Sequence, residues 1–191
     1  MLAVGHISVA YLITRWFNGR FGAVSIPLIF TLSVLPDVDL FIPGLTHMGP
    51  THSVIVAVLI FVPFIFVYGK VMIPYFMAYT SHIVLGDFIT NAGIWLLWPL
   101  TERRYALALP FACRYEFSAN LELLLFGFFI LVYLITKDYH ILSKDKYKLF
   151  LVSPLMALLV PLLFKFPVPV PLRLIPVHLI LIVVLLLPFF P

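Results

Sequence analysis

Seven runs of the chain are almost wholly apolar, and this constrains the fold more than any other feature. They cover residues 2–13, 21–35, 53–68, 71–88, 121–136, 149–164 and 172–189. A hydrocarbon core is crossed by ~20 helical residues, and backbone inside it must satisfy its own hydrogen bonds, which a helix does. The expected fold class is therefore all-α, a polytopic transmembrane bundle of roughly five to seven hydrophobic helices. Of 191 residues, 63% are hydrophobic and 10% charged, with a mean hydropathy of +1.15. That composition excludes a water-soluble monomer. One membrane-embedded domain over 1–191 is expected, with 1–100 carrying the motifs and 101–191 continuing as helices. The first run is short, so an interfacial or re-entrant placement stays open beside a full crossing. It lacks the positive start and cleavage site of a signal peptide and is expected to remain in the mature protein. The single Cys113 makes no internal disulfide.

Connections separate the runs clearly. Residues 36–50 contain neither Lys nor Arg, 101–116 is polar, and Pro167, Pro169 and Pro171 mark an extended link. Arg15 and Arg20 share one connection, Lys70 lies in another, and Lys137, Lys144, Lys146 and Lys148 lie in a third. Alternating crossings put these on one side, which the positive-inside bias makes cytoplasmic. Arg103, Arg104, Arg114, Lys165 and Arg173 fall on the other side, so the bias is modest. A net charge of +4 arising from loops reports orientation, and no nucleic-acid partner is expected.

Ionisable side chains at membrane helices cost ~2.5–3.5 kcal/mol each on insertion scales, so each needs a reason. Here they cluster. Asp37 and Asp39 stand in Leu-Pro-Asp-Val-Asp, and His47 and His52 in His-Met-Gly-Pro-Thr-His-Ser. His82 and Asp87 close the fourth run, and His6 and His178 sit near the starts of the first and last. The predicted topology brings all of them to the non-cytoplasmic face. Imidazoles with carboxylates suit Zn, Mn or Fe, whereas Ca or Mg alone would not select so many histidines. The donors suffice for one or two ions.

Each residue also has an ordinary structural reading. Asp37 and Asp39 after a proline fit a helix end, Thr51 and Ser53 fit a helix cap, and His82 fits a hydrogen bond between helices. His178 reads as structural. Glu122 reads as a carboxylate near a helix start, where the dipole favours it. Trp95 and Trp98 read as interfacial anchors.

Taken jointly, the motifs resemble those of the YdjM-type family of membrane-bound, metal-dependent hydrolases. Its pattern has an N-terminal His, a Leu-Pro-Asp-x-Asp, a His-Arg-Gly-x-Thr-His-Ser and a later His before Asp. A Thr-x-x-Gly stretch follows and ends in an aromatic residue and Pro. His6, Asp37, Asp39, His47, Thr51, His52 and Ser53 match the first three parts. His82, Asp87, Thr90, Gly93, Trp98 and Pro99 match the last. The match spans roughly the first hundred residues. Met48 stands where the family has Arg, removing a cation. His82 and Asp87 are five apart where the family pattern has four. In a regular helix five residues turn two side chains ~140° apart, so a bulge at Gly86 or the end of the helix must reunite them.

The resemblance implies a metal ligand set of His6, Asp37, Asp39, His47, His52, His82 and Asp87. Asp37, Asp39 and His52 are the expected catalytic members, and Thr51 and Ser53 supporting donors. The expected function is hydrolysis of a phosphoester or lipid-like substrate at the membrane surface, with one or two divalent ions, Zn first among them. Arg103, Arg104 and Arg114 are candidates for holding an anionic head group, against plain solvated loop charge. A metal-ion or proton transport protein using the same cluster is the alternative. A third reading, metal that only staples helices together, stays open.

Overall fold

The computed structural model describes residues 1–17, 20–90, 93–107 and 115–190. Among them the chain is helical with no strand, apart from one antiparallel bridge between Ile94 and Tyr105. Helix α1 (Ala3–Trp16) is buried on every side from Ala3 to Tyr11. A helix apolar all round belongs in an interior, and α1 runs down the middle of the bundle. It touches α2 (Ile26–Val34), α4 (Ile73–Ser81) and α6 (Tyr115–Ile135). Fourteen residues rise ~21 Å, short of a ~30 Å hydrocarbon core. The shortest of the sequence runs is thus the central shaft around which the others pack.

Helix α3 (Val54–Tyr68) and α4 form a hairpin. Gly69, at φ 71° and ψ −158°, ends α3 in a conformation that side chains disfavour. Phe61 then packs on Phe76 and Tyr79, with ring centroids 5.6 and 5.8 Å apart, and the Tyr79 hydroxyl donates to the Thr51 carbonyl at 2.7 Å. After α4 the helix widens into a π-helical turn at His82–Asp87 and tightens again as α5 (Phe88–Thr90). Helix α6, a short α7 (Asp138–Lys144), α8 (Val152–Phe164) and α9 (Ile175–Leu186) complete the bundle.

Among the described residues three tracts, Val54–Thr90, Phe117–Ile135 and Leu172–Phe189, are long and apolar enough to cross a membrane. The pair Asp138–Lys144 and Lys148–Phe164, bent by 110°, makes a fourth if counted as one broken span. The runs 53–68 and 71–88 therefore belong to one folded-back tract. The run 21–35 yields nine α-helical residues, Ile26–Val34, after which the chain tightens at Pro36 into a 3₁₀ helix at Leu35–Phe41.

The two ends of the bundle differ in chemistry. At one end Arg15 donates to Asp138 at 2.8 Å, Tyr11 donates to the same carboxylate at 2.6 Å, and Lys148 reaches the Pro188 carbonyl. His6 lies nine residues before Arg15 on α1, ~14 Å away along the axis. Apolar Val4, Ile7, Ile29, Phe30 and Phe129, all fully buried, fill the interior around the shaft.

Candidate metal centre

The 3₁₀ helix at Leu35–Phe41 explains how two aspartates so close in sequence serve different neighbours. With three residues per turn, side chains two apart point ~120° away from each other. Asp37 faces His52, His82 and Asp87, whereas Asp39 faces His47, Thr51 and His52. In the first group one ligand atom from each of the four residues lies within 4.8 Å of all the others. Asp39, His47 and His52 form a second group by the same measure.

His52 joins the two groups through its two ring nitrogens. Its Nε2 lies 3.1 Å from Asp87 Oδ2, 3.5 Å from Asp37 Oδ1 and 3.3 Å from His82 Nε2. Its Nδ1 faces Asp39 Oδ2 at 3.2 Å and Thr51 Oγ1 at 3.1 Å. Asp39 is densely served. It accepts from the Met48 N–H at 3.1 Å and the Thr51 hydroxyl at 2.8 Å, and its Oδ1 lies 2.9 Å from His47 Nδ1. Met48 supplies its N–H from a left-handed conformation, φ 61°, which turns the loop around Asp39.

His82 is fixed in the same way from the opposite side. The Ser33 carbonyl can only accept, so the 2.7 Å contact means that His82 Nδ1 carries the proton. The Nε2 lone pair then points into the first group, beside Asp87 at 3.1 Å. With Nδ1 of His52 donating to Asp39 and Thr51, two Nε2 lone pairs converge 3.3 Å apart between two carboxylates. Such an arrangement calls for a cation between them. A proton on His52 meets that need in the bare protein: burial opposes the charge, but Asp37, Asp39 and Asp87 push its pKa up to about 11. The carboxyls of Asp37 and Asp39, although burial alone would raise them, are held well below the usual range by the facing histidines. A metal ion is the other cation that fits, and imidazole nitrogens braced by a carboxylate and a carbonyl are what such an ion requires of its surroundings.

The five-residue spacing of His82 and Asp87 is resolved by the π-helical turn they bound. One extra residue per turn brings positions five apart onto one face, as the bulge alternative expects. Gly86 makes the turn compatible with α1, because a Cβ there would collide with the His6 ring. His6 stacks on His82, with centroids 3.7 Å apart and planes 12° from parallel, and its Nε2 is 3.7 Å from Asp87. It therefore borders the four-residue group without entering it.

The chain belongs to the YdjM inner membrane protein family. The family's model matches residues 1–166, which extends the likeness well past the hundred residues that carry the motifs. No curated protein and no solved structure matches the chain. The YdjM assignment makes this a membrane protein of the inner membrane, and its His and Asp cluster is compatible with metal binding.

Other expected residues sit elsewhere. Ser53 caps α3, accepting from the Ile55 and Val56 N–H groups, and donates to the Trp98 carbonyl at 2.6 Å, so it braces a helix start rather than a histidine. Arg104 donates to the Gly93 carbonyl at 3.0 Å and Arg103 lies over the Tyr105 ring. Neither joins the cluster. Cys113 and Arg114 lie outside the described residues. His178 is buried on α9 and donates to the Leu174 carbonyl at 2.8 Å, within its own helix.

Glu122 departs most from its sequence reading. Helix α6 begins at Tyr115, so Glu122 is two turns inside it rather than at its start, and it is 1% exposed. Its Oε1 accepts from the Leu2 N–H at 2.8 Å. An acidic residue inside an otherwise apolar run was the one available signal.

Proposed function

We propose that this protein is a membrane-bound metal-dependent hydrolase acting on a phosphoester, and that Asp37, His52, His82 and Asp87 hold a divalent ion, Zn by preference. The observation that carries the reading is the convergence of two Nε2 lone pairs and two carboxylates on one point, each imidazole fixed in its tautomer from behind. Two nitrogen and two oxygen donors suit zinc, and a second ion beside Asp39 and His47 is compatible with the neighbouring group. When bound, such an ion supplies Lewis acidity at an ester oxygen and lowers the pKa of a water toward ~7.

The residues of the chain divide the remaining work. Asp39 keeps His52 oriented through Nδ1 and is itself held by Thr51 and the Met48 N–H. Asp37, whose side chain is 29% exposed while His52 and His82 are fully enclosed, would hold the ion from the open side of the group. The gathering of these groups at one end, with apolar residues filling the interior, favours an enzyme over a transport pathway, which would spread polar groups through the membrane depth. The modest positive-inside bias of the Lys-rich connections favours the non-cytoplasmic face for the cluster.

The test is hydrolysis of bis(4-nitrophenyl) phosphate and alkyl phosphodiesters by purified protein loaded with Zn or Mn. Turnover abolished by a chelator and by His82→Ala, and restored by added metal in the native chain only, supports the reading. Metal-loaded protein inert toward every ester tried would leave a bound metal without this function.

A further inference from the structure

A cavity of about 510 Å³ opens beside the metal centre. Asp37, His47 and Asp87 form one side of it, and Ala157, Val160 and Phe166 line another. No Lys or Arg side chain lines it among the described residues, and the Met1 ammonium on its wall lies 3.7 Å from Asp87 Oδ1 and donates to Thr90 Oγ1 at 3.2 Å. Glu122 lines it too, together with Thr90 and Ser118. While Glu122 Oε1 accepts from Leu2 and contacts Ser118 Oγ at 3.5 Å, its Oε2 is buried with no hydrogen-bond partner. Buried polar atoms are rarely left so, and a carboxylate oxygen that has lost water is costly until a donor meets it. A Cβ on Gly5 would come within 2.9 Å of Glu122 Cγ, and the next residue, His6, stacks on His82. Glu122 is therefore one helical residue from the cluster, on the wall they share.

We propose that the cavity binds a lipid-like amphiphile whose hydrocarbon chain lies along the α8 side and whose head offers a hydrogen-bond donor, a hydroxyl or an ammonium group, to Glu122 Oε2. The inference deepens the hydrolase reading by naming its substrate class, and rests on that reading for what is done to the ligand once bound. The head group and the metal ligands then flank the bond between them. Apolar walls with a few converging polar groups are the usual make-up of a pocket for such a molecule.

Uncleavable phosphonate probes with a hexadecyl chain carrying a photoreactive diazirine test this in nanodiscs of an ether-linked phosphatidylcholine, whose head has no donor. Three head groups are compared: glycerol, ethanolamine and choline. The expected result is labelling of peptides within 157–168 by the glycerol or ethanolamine probe at about tenfold lower concentration than the choline probe, as one charge-assisted hydrogen bond implies. Whichever of the two binds tighter identifies the donor. Glu122→Gln removes the preference, and Ala119→Trp or the milder Ala157→Phe removes the labelling, with metal content confirming each variant's fold. Equal labelling by all three heads, a preference that survives Glu122→Gln, or labelling confined to the outward face of α3 at Phe66 and Val67 overturns the inference. Tailless glycerol phosphonate that competes as well as the full probe also overturns it. Because the probes are never cleaved, a protein that binds them but hydrolyses no ester keeps this inference and loses the hydrolase reading, and the reverse result separates the two equally.

Discussion

His52 carries more of the site than any other residue, because it uses both ring nitrogens. Replacing it with Ala removes a ligand and frees Asp39 from its partner, so metal retention should fall by well over ~100-fold, beyond the ~10–100-fold typical of losing a bracing group. Asp39→Asn is the gentler test. The ring stays, its orientation loosens, and affinity should drop by ~10–100-fold in a competition titration with a chromophoric chelator. Metal binding should also release a proton. With its pKa raised to about 11, His52 is protonated through the neutral range in the metal-free protein, and a metal must displace that proton. Affinity should therefore strengthen as pH rises from 6 toward 9, by ~10-fold per unit for each proton displaced, and weaken as pH falls. Calorimetry in two buffers of different ionisation enthalpy at pH 7 should return at least one proton per ion. No buffer dependence would mean that His52 is neutral before the metal arrives. All of these residues were legible from their types and spacing. Glu122 was not, since a lone carboxylate in an apolar run carries no spacing signal, and only the packing of Leu2 and Gly5 against it reveals its burial.

At the scale of elements, the site depends on three local conformations other than the regular α-helix. The 3₁₀ helix after α2 splits Asp37 from Asp39, the positive φ at Met48 turns its N–H toward Asp39, and the π turn reunites His82 with Asp87. The sequence showed that something had to bend between His82 and Asp87, because five residues cannot share a regular face. It also pointed to Gly86. What it left hidden was the reason for the glycine, which is the ring of His6 on a different helix. Gly86→Ala should therefore cost ~1–3 kcal/mol through overpacking and loosen the stacked His6 and His82 pair, read as a lowered melting temperature together with weaker metal binding. Ser53→Ala should also destabilise, by ~1 kcal/mol for a lost cap, but leave the metal stoichiometry unchanged. If Ser53→Ala strips the metal while leaving stability intact, the capping account of that residue is wrong.

For the whole molecule, composition alone established a helical membrane protein, and the family match over residues 1–166 agrees. Hydropathy runs could not show which helix is central, because a hydropathy window measures apolar length rather than position in a bundle. The fold keeps its charged chemistry at two ends with an apolar interior between them. The Arg15–Asp138 pair at the far end should act independently of the metal. Arg15→Ala leaves a fully buried Asp138 carboxylate with Tyr11 and no cation, and should cost ~3 kcal/mol of stability without changing metal content. The central claim is that Asp37, His52, His82 and Asp87 hold a transition-metal ion, and elemental mass spectrometry of the purified protein tests it most directly. The native chain should carry about one to two equivalents of zinc, or take them up on incubation, and the Asp37→Ala, His52→Ala double variant should carry none. A native protein that holds no transition metal after incubation with Zn or Mn, or a double variant that holds as much as the native chain, would contradict the account.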